Sequence, residues 1–480
     1  PEYMFIERRQ LDPRTLRDRG DEIIFVNDRA LVEIVRGMYG LPFAGRIAQQ
    51  RLYRHLATHG YHVAKFTPGL LYHETRKTFF SLVVDDFLVK YDSEADALHL
   101  KSALEEQYVI TCDPTARRYL GITIDYERGN NPSIKLSMPG YVQQGLERLG
   151  FVPNPVRRRT DAPATYRPPD YGAKVQTPTS DDSDQTDLVS AADKKFIQQG
   201  VGIFLYYARA VDTTLLTPLC RIGARQATPS PATLNALNLC LHYVAANPDA
   251  SITFYPSDMY LIGNTDGSYL SETRARSRMG GWHFLGTYQE DDTHQNNGPI
   301  DHLTGILDTV VASAHEAEYG AAFVNGQCLY NTRLTLDDLG YPQPPTPLIM
   351  DNETAVGVIT GNKTQKRSKA VDMRYHWLDA KQREGTLQII WAPGSINKAD
   401  YFTKAHPAAH YRAVRDVYLS PHRRITELKG CVGVPPLDSS TTHRRCTQRS
   451  SNAPLGTTAG ATTGTTTVAY RGQPGQSGIT

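Results

Sequence analysis

The sequence predicts an α+β domain, then an α/β domain built on a mixed five-stranded sheet with helices, then a disordered C-terminal tail. Three observations lead to this. Strand-like apolar runs alternate with amphipathic helical stretches from Ile23 to about Gly150, and again from Ser251 to about Ala408. A proline-rich charged stretch and a helical stretch lie between the two. Beyond about Gly430 the chain turns to Ser, Thr, Gly and Pro, as in TTAGATTGTTT, and such a composition forms no core.

At 480 residues the chain exceeds the size at which single cores stop growing, so two or three domains are expected. Short apolar runs and a mean hydropathy of -0.43 exclude a membrane span. The formal charge of +2 does not by itself diagnose a nucleic-acid partner, although basic knots occur at Arg157 to Arg159 and from His422 to Arg449. The six cysteines fall at wide, irregular spacings with no CxxC pair, which fits a reducing compartment and indicates neither zinc nor disulfides.

In the first domain, residues 1–152, Ala44 to His59 reads as a helix with Ile47, Leu52 and Leu56 on one face and Gly60 at its C-terminal cap. A second helix runs from about Glu94 to Tyr108, with Ser93 and Asp96 at capping-box positions. Residues 153–190 form a linker rich in proline and charge, and 191–249 a helical connector. From 250 to 410 the strands are ITFY, MYLIGNT, GWHFLGT, PLIM and TLQIIWA, with helices from about Ala314 and near Val371 to Glu384. Residues 411–480 are basic, then Ser/Thr/Gly-rich and disordered.

Two constellations carry chemistry. In FFSLVVDDFLVKY, Asp85 and Asp86 lie between two β-prone runs. A plain hairpin turn explains them as well as a metal site does, because aspartate favours turns. A functional reading needs two carboxylates at a rigid strand end, offering hard oxygens to a pair of divalent ions for nucleotidyl transfer.

The second constellation is spread over the α/β domain. Asp266 follows MYLIGNT at a strand end, and Asp351 follows PLIM before a helix-prone stretch. SAHEAEYGAAF offers two glutamates. Ser313 and Glu316 have capping-box spacing, which gives Glu316 a structural task. Glu318 points about 200° away around the helix and is the better ligand. Asp400 lies in NKADYFTKAH, at the start of a short helix after TLQIIWA, where a helix dipole alone would also favour an aspartate.

These motifs are similar to those of copia-type long-terminal-repeat retrotransposon Pol polyproteins. GMYGLPFAGRIAQQRL, the aspartate pair, YLGITIDY and KLSMPGYVQQGLERLGF resemble the family's reverse transcriptase in order and spacing. TDGSY, EAEY, MDNETA, RSKAVDMRYHWL and KADYFTK resemble its ribonuclease H. The resemblance implies a reverse transcriptase palm and thumb remnant followed by an RNase H-like domain. It makes Asp85, Asp86, Asp266, Glu318, Asp351 and Asp400 catalytic metal ligands for magnesium, two ions per site, with manganese as a substitute. Tyr39, Gly40 and Leu41 would position nucleotide and template, and Arg374, Tyr375 and His376 would contact nucleic acid or pack, with packing favoured for Tyr375.

Two departures bear on the polymerase. Val83 and Val84 stand where the family usually has tyrosine and valine before the aspartate pair. The strand bearing the third polymerase carboxylate belongs before a segment resembling PEYMFI, which here opens the chain, so an N-terminally truncated fragment without polymerase activity is expected. The ribonuclease H motifs also lack the histidine many such enzymes carry before the last aspartate, because GSINKAD has none. The expected activity is magnesium-dependent hydrolysis of RNA in RNA:DNA hybrids. The implied partners are such hybrids, an RNA template, a DNA primer and other retrotransposon proteins, with no membrane, in cytoplasmic particles or the nucleus. The alternative is a non-catalytic nucleic-acid-binding remnant of a decayed element. No protease or integrase signature is present.

Overall fold

A computed structural model of the chain describes residues 2–34, 41, 43–129, 132–153, 161–166, 189–272, 275–287, 297–361, 372–419 and 464–470. It divides into two units, Pro1–Leu120 with Thr457–Thr480, and Gly121–Gly456.

In the first unit β1 (Glu2–Glu7), β2 (Phe25–Val26) and β3 (Arg29–Ile34) form a small antiparallel sheet in the order β1-β3-β2. α1 (Pro13–Arg19) starts where Asp12 accepts the N–H of Arg14, with Pro13 at the first helical position. α2 (Ala44–Ala57) matches the expected helix, and Gly60, at φ 81°, supplies the left-handed residue that turns the chain into β4 (Tyr61–Val63).

β5 (Leu70–His73), β6 (Phe79–Val83) and β7 (Asp86–Tyr91) continue an antiparallel meander from β4. Alternation in FFSLV turns Phe80 and Leu82 inward, where they meet Leu56, Leu71, Phe87 and Leu104. Each fully buried side chain of this kind contributes about 1.5–3 kcal/mol. α3 (Glu94–Glu105) covers that core, and the hydroxyl of Ser93 accepts the N–H of Asp96 as its capping pattern predicts. β8 (Ile110–Asp113) and the short β9 (Arg118–Tyr119) follow.

The expectation of a wholly disordered tail is corrected at Gly464–Tyr470. These seven residues form a strand between β7 and β8, antiparallel to both. TTTVAY is rich in β-branched residues, and β7 and β8 offer it two open ladders. The Ser/Thr/Gly composition is too poor to build a core but sufficient to complete a sheet already present.

The second unit begins with β10 (Ile122–Glu127), β11 (Ser133–Ser137) and α4 (Tyr141–Leu149), which the sequence reading grouped with the first domain. Here β11 pairs with β12 (Ser251–Phe254), and α4 packs on α5 (Ala191–Ala210). α6 (Leu216–Gly223) and α7 (Pro231–Ala246) complete the helical connector around Val142, Leu146, Phe204, Tyr207 and Leu241.

β13 (Tyr260–Glu272), β14 (Arg276–Gly286), β15 (Pro299–Ile306), β16 (Thr346–Met350) and β17 (Leu387–Trp391) form a mixed five-stranded sheet in the order β15-β14-β13-β16-β17. The first three are antiparallel, and β16 and β17 are added in parallel. The expected strand count holds, but its membership does not. ITFY is β12, paired with β11, and the fifth strand of the sheet is PIDHLTGI, or β15. That strand lies at the sheet edge with mostly half-buried residues, so its sequence lacks the apolar run that marks the inner strands.

α8 (Ala314–Asp338) crosses the sheet between β15 and β16, packing Tyr319, Ala322 and Leu329 against Leu261 and Leu348. α9 (Glu353–Ile359) and α10 (Asp372–Arg383) join the same core, and α11 (Ala408–Leu419) follows a short 3-10 helix at Lys398–Phe402. Among the described residues no helix is long and apolar enough to cross a membrane.

Candidate metal centre

Asp266 lies in the middle of the central strand β13 and not at the strand end expected, because β13 runs on through Gly267 and Ser268 to Glu272, whereas Asp351 follows the last residue of β16. The two strands are parallel, pairing Gly263 with Leu348 and Asn264 with Ile349, and the same offset of 85 residues carries Asp266 to Asp351. The two carboxylates therefore stand level on neighbouring strands and on one face. Glu318 descends onto that face from the second turn of α8.

Asp266, Glu318 and Asp351 bring carboxylate oxygens within 4.8 Å of one another. Asp400, on the 3-10 helix, is not part of that group; its Oδ1 pairs with the ammonium of Lys404. It remains close enough to act electrostatically on Asp266 and Asp351. Asp266 is 5% exposed and Glu318 6%, so two carboxylates are almost fully withdrawn from water.

That crowding raises their affinity for protons. Burial, then the charges of Asp400 and Asp351, push Asp266 up to about 7, against the opposing donor Thr403. Burial, then Asp266 and Asp351, hold Glu318 well above the usual carboxylate range. Burial and Asp400 raise Asp351. Buried like charges of this kind are costly unless a cation or proton compensates them, and hard oxygens in such a cluster suit magnesium or manganese. The donor set fits a divalent ion.

The supporting shell is polar and specific. The N–H of Gly267 donates to Oε2 of Glu318 at 3.1 Å, and a Cβ on Gly267 would meet the backbone of Ala317 and Glu318 at 2.6–2.7 Å, so only glycine lets β13 and α8 approach this closely. Thr403 donates its hydroxyl to Oδ2 of Asp266. Asn397 accepts the N–H of Ala399 at 3.0 Å, capping the 3-10 helix, and donates to the carbonyl of Thr265 at 2.9 Å.

Asn325, on the same face of α8 as Glu318 and completely buried, donates to Thr265 Oγ1, Gly280 O and Ala321 O, and its Oδ1 lies 2.9 Å from His283 Nε2. Glu316 has a structural task, its carboxylate accepting the N–H of Ala312, one residue before the N-cap Ser313, at 2.7 Å. Sequence reasoning missed Asn325, Asn397 and Thr403. Asn325 ends the run AAFV, Thr403 follows Tyr401 and Phe402, and the signal for Asn397 is that asparagine favours the N-cap position before a helix.

The connector holds the segment that carries Asp400. Thr217 donates to Phe402 O at 3.1 Å, Tyr401 donates to Thr214 O at 3.2 Å, and Arg221 donates to Thr403 O at 3.3 Å. Arg221 and Arg278 both grip Oε1 of Glu272, at 2.8 and 2.7 Å. Arg415 of α11 ties to Asp212 at 2.8 Å and to Tyr243 at 3.0 Å.

The other candidates fall out differently. Asp85 sits in the two-residue turn between β6 and β7, and Asp86 opens β7 opposite Val83. Burial and Asp85 raise Asp86. Among the described residues no third carboxylate or histidine joins this pair within ligand distance. Val84, 90% exposed, takes φ 58° at the turn.

Leu41 is half-buried, and Tyr39 and Gly40 lie outside the described residues. Arg374 donates to Thr309 Oγ1 at 2.7 Å and lies over the Phe323 ring. His376 is exposed, and the side chain of Tyr375 lies outside the described set.

No family model matches the chain. It is 22% identical over 437 residues to the retrovirus-related Pol polyprotein from transposon TNT 1-94 of Nicotiana tabacum, a match covering 86% of this chain and 31% of that protein. The chain thus spans about a third of the length of the curated relative it matches. That match supports a relationship to retrotransposon Pol polyproteins.

Among solved structures, an N-terminal RNase H domain from Mycobacterium tuberculosis is 16% identical at a TM-score of 0.21, covering 30% of this chain and 91% of that one. An RNase H1 solved in complex with an RNA/DNA hybrid is 16% identical at a TM-score of 0.23, covering 30% and 93%.

Proposed function

We propose that this chain, a relative of retrotransposon Pol polyproteins of the copia type, is a magnesium-dependent ribonuclease H that cuts the RNA strand of RNA:DNA hybrids. The observation that carries the reading is the convergence of Asp266, Glu318 and Asp351 within 4.8 Å on one sheet face, two of them almost fully buried.

A bound pair of magnesium or manganese ions supplies Lewis acidity for water activation and for charge developing on the departing 3′ oxygen. The residues of the chain do the rest. Asp266, Glu318 and Asp351 present the ligand oxygens, and Asp400 completes the set on release from Lys404. The amide of Gly267 and the hydroxyl of Thr403 fix the rotamers of Glu318 and Asp266. Hybrid recognition rests on backbone shape and 2′-hydroxyls, so cleavage has little dependence on base sequence.

Polymerase activity is proposed to be absent from this chain alone, supported by the lack of a third ligand beside Asp85 and Asp86 among the described residues. The test uses purified chain, magnesium and a labelled hybrid. RNA cleavage is expected and is abolished by Asp266→Asn; undiminished cutting by that variant refutes the assignment. Hybrid binding with no cleavage would decide for a non-catalytic remnant. Extension of a DNA primer on an RNA template by the same preparation would overturn the polymerase statement.

A further inference from the structure

A second constellation with ligand spacing lies in the first unit, where none of the sequence motifs points. His55 and His59 are four residues apart at the C-terminal end of α2, and Glu106 caps the C-terminal end of α3. Their ligating atoms lie within 4.8 Å of one another. His59 Nε2 is 3.1 Å from Glu106 Oε2, and His55 Nε2 is 4.0 Å from the same oxygen. The carbonyl of Ala103, in the last turn of α3, is 2.6 Å from His55 Nε2.

We propose that His55, His59 and Glu106, with the Ala103 carbonyl, form a zinc-class transition-metal site that clamps α2 to α3. Two imidazoles and a carboxylate are the nitrogen and oxygen donors that zinc accepts, and the turn that closes α2 brings His59, two residues beyond Ala57, to within ligand distance of His55. Two helix C-termini converge on the site, so both dipoles favour a cation there. Access is open, since the Glu106 side chain is 57% exposed and that of His59 23%.

His55 is 7% exposed and hydrogen-bonded at both nitrogens, with Gln107 Nε2 3.0 Å from its Nδ1. Conversion to a ligand needs the Ala103 carbonyl, 2.6 Å from Nε2, to draw back until one ion can hold both atoms, and the Gln107 amide to turn. Turning the Gln107 amide over lets its oxygen accept from Nδ1–H, which frees the Nε2 lone pair for the ion. Gln107 then orients the imidazole from behind, as hydrogen-bond partners of metal-bound histidines do.

The test is zinc and cobalt(II) titration of the full chain after chelator treatment, read by calorimetry and by the visible spectrum of cobalt. A tetrahedral cobalt spectrum and one equivalent of zinc that is lost in Glu106→Gln but kept in Asp266→Asn are expected. Glu106→Gln, exposed and isosteric, and His59→Ala are expected to weaken zinc binding by at least about tenfold, and Gln107→Leu by about 10–100-fold. Glu106→Gln and Asp266→Asn separate this site from the carboxylate cluster of the second unit, because only the former should alter the cobalt spectrum. Absence of bound zinc in the wild-type chain, or binding unchanged in Glu106→Gln, overturns the proposal.

Discussion

The hydroxyl of Thr403 donates to Oδ2 of Asp266, while the carbonyl of the same threonine receives Arg221 from the connector at 3.3 Å. A single residue thus links the central strand, the 3-10 helix and α6. Thr403→Val keeps the shape and removes the donor. The magnesium concentration giving half-maximal RNA cleavage is expected to rise about 10–100-fold, with hybrid binding in metal-free buffer unchanged. A magnesium titration matching the wild type would remove Thr403 from this role.

Stability of the metal-free chain should carry the signature of Asp266. Its pKa is up to about 7 in the folded state, against about 4 when unfolded. Between those values the folded chain holds a proton that the unfolded chain has released, so this group costs stability as pH rises through the window. Buried His302 and His406, both held down to about 4, act oppositely, costing stability as pH falls below about 6.5. Comparison with Asp266→Asn isolates the carboxylate. Calorimetry should show the variant with the higher Tm at pH 8 and the gain shrinking towards pH 5. An increment independent of pH would contradict the placement of Asp266.

Gly267→Ala tests the closeness of β13 and α8. The added methyl meets backbone atoms at 2.6–2.7 Å, which no side-chain rotation relieves. A loss of about 1–3 kcal/mol in urea unfolding is expected, with cleavage reduced because Glu318 moves with its helix. Full stability in the variant would show that α8 has room to withdraw.

The turn at Val84 carries strain that glycine would release. A β-branched residue at φ 58° costs about 1–2 kcal/mol. Because Val84 is exposed and fills no core, Val84→Gly should stabilise the first unit, offset in part by the flexibility of glycine in the unfolded chain. Urea denaturation followed by aromatic fluorescence reads the change, and a net loss of more than about 1 kcal/mol would argue against the strain.

The candidate ligands are legible in the sequence because each stands beside a recognisable local pattern, although β13 continues past the boundary expected at Asp266. Asp266 and Asp351 close apolar runs, Glu318 follows a capping signal, and Asp400 opens a short helix. What surrounds them is not legible. Asn325 looks like any polar residue of a long helix until β14 brings Gly280 and His283 against it. Thr403 and Arg221 are far apart in sequence, and nothing local joins them. The same limit misassigned ITFY, whose alternation predicts a strand but not which sheet receives it, and hid β15, whose edge position relaxes the demand for apolar residues.

The order of the carboxylates along the chain has a consequence for biosynthesis. Asp266 is made first, on a strand whose parallel neighbour β16 is not yet synthesised, and Asp400 comes only after β17. Parallel pairing between segments so distant is slow and cannot begin until both have left the ribosome. A growing chain therefore carries an incomplete set of acidic ligands until almost the whole second unit exists. Any RNA near the translating polysome meets all four carboxylates only once Asp400 has left the ribosome.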